Sequence, residues 1–367
     1  MPIDKSQLDN QVRAAFLRQE RYARRVKLLY DDYADQILKL VNSYPGIDPT
    51  KPFSFSKYPA LQRKVDVLLK ELSGNVLKEV QSGIEIEWEL SNKVNDQLVK
   101  KTFGTDVMKD KRFERFFGRN IEAREAFKGR IVARGMDLSK RIWIYTGIMK
   151  NEMDAALEVA LTEGKSAVEI SREVHNYLRE PDRLFRRVMD EKGILRLSKA
   201  FHPGAGMYRS SFKNAMRLAR TETNMAYKTA DHTRYQQLDF VVGFEVKLSK
   251  SHAARMPNGD MCDVLAGKYP KDFKFTGWHV QCMCYVTSIL MTDDEFSKMQ
   301  DKILAGEPTG GMTSANQVKN MPDGFKKWIA ENKERVDDWK EQPYFIQDNF
   351  KGGRIEGGLK IRKPAKV

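Results

Sequence analysis

Three cysteines and a histidine have the widest chemical reach in this chain of 367 residues. Cys262, Cys282 and Cys284 are all the cysteines there are, and His279 stands beside the last two. Thiolate and imidazole are zinc ligands, so Cys262, His279, Cys282 and Cys284 form a candidate Cys₃His site. The Cys-x-Cys spacing is tighter than the usual zinc knuckle, and free cysteine is a common core residue, so plain packing beside a strand is the competing reading. A disulfide is a third. The opening residues MPIDKSQLDNQVRAAF lack an apolar signal core, so a reducing cytosol is expected, and that disfavours a disulfide. A zinc deaminase would need H-x-E and P-C-x-x-C, but Ala253-Ala254 follow His252 and Val280-Gln281 follow His279. Neither H-E-x-x-H nor a P-loop occurs. Cys282 and His279 could pair as nucleophile and base, yet the sequence offers no third group to orient them. No enzymatic activity is expected.

The elements that must position these residues can be read from periodicity. Ser210 or Ser211 is placed to cap a helix in which Met216, Ala219, Thr223 and Ala226 recur at helical spacing, extended by Tyr227 and Tyr235. From Phe240 the period becomes two, with Val242, Phe244, Val246 and Leu248 on one face of a strand. Pro257-Asn258-Gly259-Asp260 is turn chemistry. Tyr285, Val286, Ile289 and Leu290 suit a buried strand directly after the last cysteine. The expected module is therefore a helix, a strand, a polar loop and a second strand, with the sulfurs at that strand's mouth.

Over about residues 140–290 the chain resembles the Mu F-like (phage head morphogenesis) family of minor head proteins. The residues that carry the resemblance are Arg220-Thr221-Glu222-Thr223-Asn224-Met225-Ala226-Tyr227, then Cys262-Asp263-Val264-Leu265-Ala266-Gly267-Lys268, then Trp278-His279-Val280-Gln281-Cys282-Met283-Cys284. The family's pattern is an Arg-Thr-Glu-x-Asn helix, a Cys-bearing L-x-G-K loop and a closing His-Pro-x-Cys-Arg-Cys. Here Val280 replaces the proline, Met283 replaces the arginine, and the loop has Cys262 alone where a Cys-x-x-Cys is common. The resemblance implies Arg220, Glu222, Asn224 and Tyr227 as signature-helix residues. It also implies a minor head protein of a tailed phage or prophage, associated with portal, capsid proteins and packaged DNA. Such a chain would be found in the host cytoplasm during assembly and then in the virion head. The alternative is a nuclease or transferase-like enzyme built on the same module.

The rest of the chain reads as helices. Ala23, Val26, Tyr30, Tyr33, Ile37 and Leu40 form a heptad seam, either the inner face of a bundle helix or a docking face for a partner helix. After Pro45, Pro49 and Pro52 comes a loop with two exposed-looking phenylalanines, Phe53 and Phe55. A second helix carries Leu61, Val65, Leu68, Leu72 and Val76, and a third runs from about Ile84 to Phe103. Further helices are expected from Leu138 to Gly164, from a Ser166-x-x-Glu169 capping box to before Pro181, and over Asp182–Ala200. Thr292 to Glu295 opens another, a flexible loop covers Gly306 to Met321, and Phe325, Trp328, Ile329, Val336 and Trp339 mark the last. The expected fold is α+β, a helical N-terminal region followed by a module of helices around a small, mostly antiparallel sheet. The expected divisions are 1–104 (helical), 105–210 (helical and basic), 211–300 (the signature module), 301–350 (a helical extension) and 351–367 (a basic flexible tail).

Charge points to a polyanion. The net charge is +14, from 64 basic and 50 acidic residues, which favours nucleic acid or another acidic partner. Arginines interleave with phenylalanines over residues 106–135, and the last seventeen residues are basic. Arg112, Arg115, Arg119, Arg354, Lys360, Arg362 and Lys363 are the candidate contacts to double-stranded DNA, bound without sequence preference. The competing reading of the Arg/Phe stretch is an amphipathic helix with its phenylalanines in the core. No apolar run approaches the roughly 20 residues of a membrane span.

Overall fold

The computed structural model describes residues 5–48, 51–132, 135–179, 187–189, 195–197, 210–339 and 341–360. Helix accounts for 68% of the described residues and is joined by one small three-stranded antiparallel sheet, which makes the fold α+β as expected. No helix among the described residues is long and apolar enough to cross a membrane. In order, the helices are α1 (Lys5–Asn42), α2 (Pro59–Phe103), α3 (Ile121–Lys128), α4 (Leu138–Thr162), α5 (Ala167–Arg179) and α6 (Ser211–Gln237). The chain then runs through β3 (Val241–Lys247), α7 (His252–Arg255), α8 (Met261–Leu265), β4 (Gly267–Tyr269) and β5 (Tyr285–Leu290). It ends with α9 (Asp293–Leu304), α10 (Asp323–Asp337) and α11 (Tyr344–Asn349). Two short strands, β1 (Arg187–Met189) and β2 (Leu195–Leu197), lie between α5 and α6.

The chain forms two compact units, and neither is a continuous stretch of sequence. A helical unit takes Arg18–Gly83 and Arg130–Arg220; a sheet unit takes Met1–Leu17, Ile84–Gly129 and Thr221–Val367. These are not the five consecutive divisions expected from sequence, because α1, α2 and α6 are each long enough to belong to both. The two helices expected within residues 59–103 are one, α2. Its apolar stripe runs unbroken through Val76, Val80, Ile84 and Trp88, all buried. Gly83 costs a helix only about 1 kcal/mol and does not end it.

In the helical unit the α1 seam faces inward, with Ala23, Val26, Tyr30, Tyr33 and Ile37 buried. It is a bundle face here, alongside Leu61, Val65, Leu72 and Val76 of α2. Phe53 and Phe55 are buried, not exposed, because Asp154 pins their loop: it accepts from the Phe55 amide at 2.7 Å and from the Ser54 hydroxyl at 2.9 Å. The Ser166/Glu169 capping box forms. Where a helix was expected over Asp182–Ala200, β1 and β2 pair antiparallel with Val188 opposite Arg196. Leu195-Arg196-Leu197 alternates apolar and polar, the period of a strand. A loop expected over residues 202–206, leading into α6, lies outside the described residues.

In the sheet unit the strand order is β4-β3-β5. Phe244 stands opposite Tyr269 on one side and Ser288 on the other. Val242, Phe244 and Val246 are buried as the alternation requires, but Val241 is buried too, so the first half of β3 is covered on both faces. Gly243 shows why: a Cβ there would lie 2.6 Å from Val318, whose amide bonds the Val242 carbonyl at 3.2 Å. That contact belongs to the 306–321 stretch, which Glu295 also ties down by accepting from the Ser314 hydroxyl and, at 2.8 Å, from the Ala315 amide. The stretch expected to be a flexible loop is therefore tied down at Ser314, Ala315 and Val318, with most of its other residues exposed. An aromatic core of Phe244, Tyr269, Phe273, Trp278, Phe325 and Phe345 lies against the sheet.

Candidate metal centre

Two chain segments bring the sulfurs together. Asp260 caps α8, accepting from the Cys262 amide at 2.7 Å, and Asp263 completes a capping box by accepting from the Asp260 amide at 2.7 Å. This fixes Cys262 in the first turn with its side chain in the core. The second segment runs from Gly277 to Cys284. Trp278 is fully buried in the aromatic core and anchors its start. Gly277 has φ 127°, a conformation that L side chains rarely adopt, and a Cβ there would sit 3.2 Å from that of Cys282. Gln281, at φ 61°, then turns the chain back so that the Cys282 amide reaches the His279 carbonyl.

The ligand atoms of Cys262, His279 and Cys282 all lie within 4.8 Å of one another. Cys262 Sγ is 3.1 Å from His279 Nε2 and 4.0 Å from Cys282 Sγ. A tetrahedral zinc with bonds of about 2.3 Å to sulfur and 2.0 Å to nitrogen would space these pairs at about 3.5 and 3.8 Å. The ring orientation suits ligation as well. His279 Nδ1 lies 2.8 Å from the Val280 carbonyl, and a proton donated there leaves the Nε2 lone pair directed at the sulfurs. Cys284 adjoins the other two sulfurs without belonging to that set of three.

The thiols do not share protons evenly. Burial would push Cys282 up, but hydrogen bonds from Cys262 and Cys284, with the charges of Lys228 and His279, hold it well below the usual thiol range. Cys262 is driven up by its hydrogen bonds to Cys282 and Cys284 and then by burial. The surroundings of Cys282 thus favour its thiolate, the form of cysteine that can ligate a metal.

The signature helix holds this loop. Asn224 donates its amide to the Cys282 carbonyl at 2.7 Å, and Lys228, one turn further along α6, donates to the same oxygen at 3.1 Å. Lys228 is buried and lies 4.9 Å over the Phe275 ring. The sequence reading missed Lys228, although an i,i+4 partner of Asn224 on the same helical face was the signal for it. It missed His252, Asp260 and Asp263 as well. His252 Nε2 is 2.9 Å from Asp263 Oδ2, and Asp260 stands between His252 and His279. Arg220 makes two bonds to Glu20, at 2.7 and 2.9 Å, within the helical unit. Glu222 is fully buried, and Tyr227 belongs to the same helix.

The described residues among those expected to meet DNA have partners within the chain, although Arg112 and Arg119 remain 47% and 42% exposed. Residues 105–117 are 3₁₀ turns, not a long amphipathic helix, and they bury Phe113 and Phe116. Arg112 pairs with Asp110 and bonds the Leu304 carbonyl, Arg115 pairs with Asp239, and Arg119 pairs with Asp96 at 2.8 Å. Arg354 bonds the Asp337 carbonyl at 3.1 Å, and Lys360 bonds two carbonyls at the end of α11. Residues 351–360 are therefore folded rather than a flexible tail, with Ile355 buried. Arg362 and Lys363 lie outside the described residues. Compared with family models, curated proteins and solved structures, the chain has no match in any of the three.

Proposed function

We propose that this chain is a minor head protein of the Mu F-like kind, joining portal and capsid proteins during assembly, and that zinc closes its cysteine cluster. The reading rests on one observation. The three separate pieces of the resemblance meet at a single place: Asn224 of the helix holds the Cys282 carbonyl, and Cys262 of the loop faces His279 of the closing motif. Residues with independent roles in a core would have no reason to converge in this way.

Cys262, His279 and Cys282 would hold the zinc, with Cys284 placed beside them. Bound there, zinc would cross-link α8 to the segment before β5, and its binding energy would add to folding energy. The chain's own residues supply the rest: Lys228 offsets thiolate charge, and Asn224 fixes the loop. The proposal is tested by purifying heads assembled in cells. The chain should be found in procapsids that carry a portal, DNA-free ones included. Heads containing portal and no trace of this chain would overturn the reading.

A further inference from the structure

His252, Asp260 and Cys262 form a second set whose ligand atoms all lie within 4.8 Å of one another. Cys262 belongs to both sets. Asp260 also faces both, with Oδ1 3.6 Å from His252 Nε2 and Oδ2 3.4 Å from His279 Nε2. We propose that the cluster is binuclear, with a second divalent cation held by His252 and Asp260 beside the first and bridged to it by the Cys262 thiolate and the Asp260 carboxylate. The inference rests on the zinc reading of the first set.

Chemistry and charge support it. Nitrogen, carboxylate oxygen and thiolate are a donor set that zinc accepts. Ligand atoms around one tetrahedral zinc lie about 3.3–3.8 Å apart, and the His252–Asp260 distance falls in that range. Centres that share ligands in this way hold their two metals about 3.5–4 Å apart. A carboxylate has lone pairs enough to cap α8 and bind a cation at once, so the Asp260 bond to the Cys262 amide is no obstacle. The Asp260 and Asp263 carboxylates and the thiolates that zinc would ligate give the cluster a negative charge that one dication and Lys228 would offset only in part. A second dication balances it. His252 Nε2 lies 2.9 Å from the 41% exposed Asp263 carboxylate, a bond that ligation of the second cation would replace.

The test is equilibrium dialysis of the full chain against zinc, with metal counted per chain. Wild type should hold about two equivalents and His252→Ala about one. A wild type that saturates at one equivalent overturns the second position and leaves the first standing. A count near zero overturns both. Two equivalents retained by His252→Ala would place the second metal elsewhere and overturn the inference. Cobalt(II) gives a check that does not depend on the variant's fold. The first equivalent should produce a sulfur-to-cobalt absorption band and an electron paramagnetic resonance signal, and the second should diminish that signal through the thiolate bridge. A signal that simply doubles would mean two unbridged ions and would overturn the proposal.

Discussion

Two donors on one carbonyl decide how firmly the cysteine loop is held. Asn224 and Lys228 both bond the Cys282 oxygen, so removing either leaves one bond in place. Asn224→Ala should therefore cost about 1 kcal/mol in urea unfolding, the ordinary net worth of one hydrogen bond. Lys228→Met keeps most of the buried stem and removes the donor. The double variant strands a buried carbonyl and should cost more than the sum of the two, a coupling that a double-mutant cycle reads directly. Additive losses would mean that the two side chains do not share the oxygen. In the same cluster, Cys282→Ser replaces the thiol that the fold holds most nearly ionised. That variant should lose zinc on elemental analysis and unfold at lower temperature than wild type.

At the scale of elements, α6 starts on a buried carboxylate. Glu152 accepts from the Ser211 amide at 2.8 Å and from its hydroxyl at 2.5 Å, while Ser210 caps the same turn by accepting from the Lys213 amide. Burial raises Glu152 to about 7, against the lowering effect of the Ser211 bonds. A carboxyl whose folded value is raised binds its proton more tightly in the folded state. Its contribution to stability is complete below the ordinary value near 4.5 and is lost as pH rises to about 7. Across that window unfolding free energy should fall by up to about 3 kcal/mol, at about 1.4 kcal/mol per pKa unit. Glu152→Gln keeps an acceptor for the Ser211 amide and should flatten that slope. Elsewhere in the helical unit, Gly74 lies within α2 with nothing within 4 Å of where a Cβ would stand. Gly74→Ala should stabilise the protein by about 0.5–1 kcal/mol.

For the whole molecule, the net charge of +14 predicts sequence-independent binding to double-stranded DNA that weakens with salt. The ion-paired arginines still contribute to this field, but their geometry is fixed by the fold. Removing residues 361–367 takes away Arg362, Lys363 and Lys366, and should lower the salt slope by up to about 2.7 at 0.9 per phosphate neutralised. Truncation before Lys351 would remove Ile355 from the core along with the Phe350–Leu359 bridge. That larger deletion should cost about 1.5–3 kcal/mol for the isoleucine alone. Filter binding and thermal unfolding of the two truncations separate a charge effect from a folding effect.

Local chemistry announced itself in the sequence wherever it acts over a few residues. The heptad seam of α1, the alternation of β3 and the Ser166 capping box each depend on neighbours within one or two turns, and each was legible. So was the gathering of three cysteines around His279. What stayed hidden depends on partners far along the chain. Arg234 was one more basic residue until the fold buried it against Asp96 and the Gly118 carbonyl. Asp231, raised to about 6 by burial, is held there by Ser91 and Asn95 of α2. The Arg/Phe stretch carries the composition of a nucleic-acid contact, yet its phenylalanines are in the core and its arginines pair with Asp96 and Asp239. Composition records that a charge exists, whereas only tertiary structure decides whether another part of the chain has already neutralised it. The candidate metal cluster divides the same way: residue types named Cys262, His279, Cys282 and Cys284, and only folding set His252 and Asp260 beside them, because a ligand sphere is a matter of ångströms in space rather than of spacing along the chain.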